Sequence, residues 1–336
     1  MLANDKLTYS EIASYILMAG ALLVVLMNGL LVALFAGLLV HSLVLILSPK
    51  LDEQVGKGRA RLVSVSLLGT LIITALTLAV WGAITFFQSE AGSTHALLQK
   101  MADIVEASRA QCPVWICSHM PDNSEELREL ITNWMREHAQ EAKTLSTDAS
   151  HTLVRILLGM IIGAMISLHR PATLPTAPLA SALLARVKTL SRAFKKVVFA
   201  QVKISAVNTF FTGIYILVVL PLLDVNLPMA KSLVVITFVV GLLPIVGNLI
   251  SNSILVIVAL PFGIAVAAWS LVFLIVLHKL EYFLNAKIIG TQISAKAWEL
   301  LITMLVMESI FGIAGVVAAP IFYAYAKQEL VNRQLI

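Results

Sequence analysis

The sequence predicts an all-α, polytopic transmembrane protein. It reads as about eight spans, with broken or re-entrant helices in the C-terminal half and a small helical extracytoplasmic cap. Three observations predict this. Hydrophobic residues make up 59% of the 336, and charged residues only 13%, about half the share usual in a soluble globular chain and too little to give one a polar skin. The apolar residues fall in long blocks, several near the ~20 residues that cross roughly 30 Å of hydrocarbon. The cations gather in a few loops beside those blocks, as the positive-inside rule expects.

The first region, residues 1–87, carries spans one to three. Residues 15–47 are almost wholly apolar, too long for one comfortable span, and Asn28-Gly29 sits at the middle. The pair predicts two helices, 13–28 and 30–47, joined by a tight turn; the alternative is one long tilted helix. The block exceeds the apolar core of a signal peptide, and Asp5 and Glu11 precede it, so it reads as membrane-embedded. A loop with Lys50, Lys57, Arg59 and Arg61 follows, then a third span over 62–87.

Residues 88–150 are the one substantial polar segment, with ten acids and five Lys/Arg. Asp122-Asn-Ser-Glu125 has the form of a capping box, and Leu127, Leu130, Ile131 and Trp134 recur at helical spacing. The segment therefore reads as a helical cap. Spans four to eight fill 151–336. The fourth covers 152–168, and a proline-rich turn runs from Pro171 to Pro178. Residues 182–203 hold Arg186, Lys188, Arg192, Lys195, Lys196 and Lys203, with Leu183, Val187, Leu190, Phe194 and Val198 along one side. This predicts an amphipathic helix lying on the cytoplasmic leaflet, and the apolar face argues against nucleic acid as a partner. A fifth span covers 204–222. Residues 230–330 are apolar but interrupted repeatedly, at Pro244, Gly247, Pro261, Gly290, Gly312, Gly315 and Pro320 among others.

Charge sets the expected orientation. The basic loops 48–61 and 170–203 belong in the cytoplasm, both termini with them, and the acidic 88–150 loop lies in the periplasm of a bacterial inner membrane. In that oxidising compartment Cys112 and Cys117 either close a small disulfide ring or remain free thiols. Two thiols make a metal site improbable, and no cofactor motif is present. Simple counting of eight spans puts 278–300 outside despite Lys279, Lys287 and Lys296. A re-entrant hairpin over 230–262, folding at Pro244–Asn252, would return that stretch to the side its cations favour.

The C-terminal half resembles the autoinducer-2 exporter family, the PerM-like permeases. Leu243-Pro244-Ile245-Val246-Gly247, Lys287-Ile288-Ile289-Gly290, and Phe311-Gly312-Ile313-Ala314-Gly315 with Ala319-Pro320 resemble that family's motifs in order and spacing. The Gly58–Leu62 entry to span three and the long outer loop fit as well. The chain departs from the pattern at Ala286-Lys287 and at Glu308. The resemblance implies an eight-span exporter that assembles as a homo-oligomer, such as a pentamer. It leaves open the substrate: autoinducer-2 for some members, sodium or proton antiport for others.

Glu308 interrupts an apolar run, where a carboxylate costs roughly 2.5–3.5 kcal/mol. It reads either as a proton, cation or polar-solute site or as a structural partner of Lys279, Lys287 or Lys296. Pro244, Gly247, Asn248 and Asn252 break one helix in mid-membrane, and Gly312 and Gly315 break the last. Interrupted helices expose backbone groups that bind ions or polar solutes, although the two glycines also suit close helix packing. His278, Lys279, Glu281 and Asn285, placed just after span seven, form either a gate or a plain loop network. His41 reads as a packed interfacial residue in preference to a proton carrier, and Gln201 and Asn208 as helix–helix hydrogen-bonding groups. No Walker A loop, G-x-S-x-G or H-E-x-x-H motif occurs, which points away from an enzyme. The reading is a secondary or facilitative exporter of a small polar solute. A monovalent cation/proton antiporter is the alternative, and a non-transporting membrane scaffold or assembly factor the second.

Overall fold

The computed structural model describes residues 8–56, 59–88, 129, 133, 139–169, 177–227, 229–242, 246–293 and 295–336. Every element among them is helical. Helix α1 (Tyr9–Met27) starts at a capping box. The Thr8 hydroxyl accepts the Glu11 N–H, and the Glu11 carboxylate accepts the Thr8 N–H. It ends at Asn28, and Gly29 takes a φ of +64°, a left-handed turn that glycine makes without a Cβ penalty. Helix α2 (Leu31–Val55) follows at once. Two helices thus replace the single tilted one. Next come α3 (Ala60–Gln88), α4 (Ala139–Leu168) and α5 (Pro178–Ile214).

Helix α5 continues through a widened π turn, Tyr215–Val219, and on to Leu222. Pro221 has no N–H to return to the preceding turn, and its ring crowds the carbonyl four residues back, which accounts for the widening. The remaining helices are α6 (Ala230–Gly241), α7 (Val246–Ala259), α8 (Ile264–Ile293) and α9 (Ala297–Asn332). Among the described residues five helices are long and apolar enough to cross a membrane: Tyr9–Met27, Leu31–Val55, Ser150–Leu168, Pro178–Leu222 and Trp298–Asn332. Helices α3 and α8 have 29 and 30 residues. The 12 residues of α6 and 14 of α7 reach only about 18 and 21 Å, short of a full crossing, and they pack on one another as a hairpin. The chain is a polytopic helical membrane protein.

Two expectations need revision. The amphipathic segment 182–203 and the fifth span are one unbroken helix, with no joint at 203–204. Its apolar stripe also meets protein: Leu190, Phe194 and Val197 are buried with Met18, Ile321 and Tyr325. In addition, His278, Lys279, Glu281 and Asn285 lie within α8, not in a loop after it. Most of the expected 88–150 cap, with Cys112 and Cys117, lies outside the described residues, as does Pro244.

The chain forms two compact units. The first comprises Met1–Leu71, Ala149–Ala200 and Ala286–Ile336; the second, Ile72–Asp148 and Gln201–Asn285. In the first, α2 and α4 approach at small residues. A Cβ on Gly159 would strike the Ala33 carbonyl, and one on Gly163 the Gly37 carbonyl. Ala33-x-x-x-Gly37 thus faces Gly159-x-x-x-Gly163, a small-residue contact that lets membrane helices touch backbone to backbone. In the second, Tyr215, Leu233, Leu255, Ala259, Ala267 and Leu274 form the core. There Tyr215 stacks on Phe273 at 4.1 Å between ring centroids and bonds Ser270 Oγ at 2.9 Å.

Candidate functional site

Three polar residues of α5, Gln201, Ser205 and Asn208, follow an i, i+4, i+7 spacing and so share one face of the helix. That face meets the α6–α7 hairpin of the second unit. The break after Gly241 leaves carbonyls at the end of α6 without helical partners, and α5 supplies them. Gln201 Nε2 donates to the Gly241 carbonyl at 2.9 Å, and Ser205 Oγ to that of Phe238 at 2.7 Å. The approach is close enough that a Cβ on Gly241 would lie 2.7 Å from Ser205 Oγ. Within the hairpin a Cβ on Gly247 would collide with the Val240 carbonyl, so glycine at 247 lets the chain fold back. Ser251 Oγ donates to Thr237 Oγ1 at 2.9 Å, and Thr237 to the Leu233 carbonyl at 2.8 Å.

Deeper along the same face, Asn208 Nδ2 donates to Asn248 Oδ1 at 2.9 Å, and Asn248 Nδ2 donates to Glu281 Oε1. The three side chains are 7%, 6% and 6% exposed. They form a directed chain of donors from α5 through α7 to a carboxylate on α8. Its far end is an acceptor: among the described residues, Asn208 Oδ1 is buried with no hydrogen-bond partner, and so is the neighbouring Thr209 Oγ1. His278, one turn before Glu281, has Nδ1 3.9 Å from Glu281 Oε2 and is largely exposed.

Of the expected site residues, the second unit brings Gly247, Asn248, His278 and Glu281 together. Asn252 is half-buried beside them on α7, and Lys279 is exposed. The Asn285 side chain is outside the description. Gln201 and Asn208 take the helix–helix role expected of them and also complete the site. Glu308, Gly312 and Gly315 belong to the first unit. Glu308 is exposed on α9, among exposed Leu305, Ile310 and Ile313. Helix α9 does break at Gly312, with φ +61° and ψ −145°. A Cβ on Gly315 would strike the Met307 carbonyl.

His41 packs between helices as expected. Its Nδ1 lies 2.8 Å from Ser167 Oγ, which also sits 2.7 Å from the Gly163 carbonyl. A carbonyl only accepts, so Ser167 donates there and accepts from His41. The burial of Glu281 was not anticipated. The signal was present: Glu281 lies four residues after Leu277 and seven after Leu274, both buried, on one helical face.

A comparison with protein families matches residues 12–332 to the AI-2E family transporter model. The chain belongs to the AI-2E transporter family. No curated protein and no solved structure matches it at the level required of a relative. As an AI-2E family member it is a multi-pass membrane transporter, and the site above is a buried polar cluster of its second unit.

Proposed function

We propose that this AI-2E family transporter carries a small polar solute out of the cell by secondary or facilitative transport across a bacterial inner membrane. In this reading both termini are cytoplasmic, the 88–150 loop is periplasmic, and the solute engages the Asn208–Asn248–Glu281 chain beside the hairpin. One observation carries the reading: a buried carboxylate is reached by a line of amides that ends, among the described residues, in an acceptor without a partner, at a helix break. Burying a polar group unpaired costs free energy, and packing alone does not require it. Interrupted helices near mid-membrane are where transporters place solutes and coupling ions.

Glu281 takes the coupling role that sequence position alone would give to Glu308. The exposed Glu308 fits a homo-oligomer, in which another copy covers its face, because lipid contact would cost a carboxylate roughly 2.5–3.5 kcal/mol. The test is autoinducer-2 export from cells, together with solute flux in proteoliposomes, for the parent and for Glu281→Gln. Parental flux with parental pH dependence in Glu281→Gln removes this carboxylate from the mechanism.

The second reading, monovalent cation/proton antiport, is favoured by the buried carboxylate oxygens of Glu281. Oxygen groups suit hard cations. A sodium gradient imposed on proteoliposomes holding a proton-sensitive dye separates the two. Sodium-driven proton movement that vanishes in Glu281→Gln favours antiport.

A further inference from the structure

The first unit carries a second polar feature, remote in chemistry from the amide chain. Where α1 begins and α9 finishes, a cavity of about 380 Å³ is lined by four cations, Arg186, Lys188, Arg192 and Arg333, and two acids, Glu11 and Glu329. Two of the cations are already committed. Arg186 pairs with Glu329, and Arg333 with Glu11. The Arg186 guanidinium also donates to the Tyr15 hydroxyl at 2.5 Å and lies 4.2 Å from the centre of that ring. The floor is thus neutral in net charge, each of its two acids pairing with an arginine.

Lys188 and Arg192 remain at the mouth, one helical turn apart and both exposed. Among the described residues no acid pairs with either. Arg192 is nevertheless held: its Nη2 donates to Thr189 Oγ1 at 3.3 Å. The mouth therefore presents two uncompensated positive charges over a neutral floor. Its depth follows from the helices. Glu11 is in the first turn of the apolar span Tyr9–Met27, and Arg333 caps the end of Trp298–Asn332. Span ends lie at headgroup level, where anionic phosphates concentrate and each nearby Lys or Arg adds to the attraction.

We infer that this cavity binds the phosphate of an anionic ligand, with Lys188 acting as a point charge and Arg192 as a two-pronged donor. An anionic phospholipid headgroup and free phosphate share this chemistry. The experiment separates them. The full-length protein in micelles is titrated with phosphatidylglycerol, with phosphatidylcholine, and with inorganic phosphate against chloride at matched ionic strength. Binding is read by intrinsic fluorescence and by thermal stability.

Two double variants accompany the parent. Lys188→Gln/Arg192→Gln empties the mouth. Lys195→Gln/Lys196→Gln removes the same charge from the same helix outside the cavity. The parent binds phosphatidylglycerol in preference to phosphatidylcholine, and the mouth variant binds it roughly thirtyfold more weakly, while the control variant matches the parent. Binding of phosphatidylglycerol without competition from phosphate identifies the lipid as the source. Saturable phosphate binding lost only in the mouth variant identifies the free ion. Equal weakening in both variants, or parental binding in the mouth variant, overturns the assignment.

Discussion

Among the described residues, the two units bury polar chemistry in different ways. In the first, acids meet fixed cations: Glu329 with Arg186, Glu299 with Lys327, and Glu11 with Arg333. Backbone contacts at Gly37, Gly159 and Gly163 lock its helices further. In the second, among the described residues, Glu281 is held by the amide of Asn248 and faces the His278 imidazole. A paired carboxylate and guanidinium stay together because separating them leaves a buried charge. An amide chain can exchange one hydrogen bond for another with an arriving solute at small cost. The first arrangement suits a frame and the second a site.

Substitutions can break or sharpen this contrast. Arg186→Leu has the largest expected effect: it strands Glu329 and costs about 3–5 kcal/mol, read as a lowered unfolding temperature in micelles. The double variant Arg186→Leu/Glu329→Leu recovers most of that loss. Equal instability in single and double variants would show that the pair is no lock. Gly163→Ala comes next, because its methyl meets the Gly37 carbonyl. Overpacking of this kind costs about 1–3 kcal/mol, and the same measurement checks it.

In the second unit stability and transport separate. Glu281→Gln keeps an oxygen for Asn248 to donate to, so the fold changes by about 1 kcal/mol or less while vesicle transport is lost. A variant that unfolds would place Glu281 with the frame. The smallest effect belongs to Ser205→Ala, which removes one interhelical hydrogen bond worth about 0.6 kcal/mol. A loss several times larger would mean that the Phe238 carbonyl depends on Ser205 alone.

Local rules read well where the chain itself supplies the cause. Asn28-Gly29 announced a turn because glycine accepts the positive φ found there. The breaks around Gly247 and Gly312 were legible from helix-breaking residues alone. What depends on neighbours was harder to read. Hydropathy along the sequence placed Glu308 in apolar surroundings but could not say which side of α9 it occupies, and it is exposed. The polar run from His278 onward read as the end of a span, yet α8 continues to Ile293. A partner for one face of that helix, Asn248, comes from 33 residues away. The stripe at Leu190 and Phe194 was recognised, but its partner, protein instead of lipid, is a tertiary fact. The Gly159-x-x-x-Gly163 contact is written in the sequence, but small residues within an apolar block acquire a role only when a second helix faces them.

The break at Gly312 constrains this position in a different currency from crowding. A Cβ there would meet nothing within 4 Å, yet φ is +61° and ψ −145°, backbone territory that is almost closed to L-residues. Trimming a neighbour cannot rescue a substitution, since no neighbour is in the way. In a saturation library the site rejects alanine as firmly as tryptophan. A mirror-image D-alanine, introduced by chemical synthesis, is the side chain that fits.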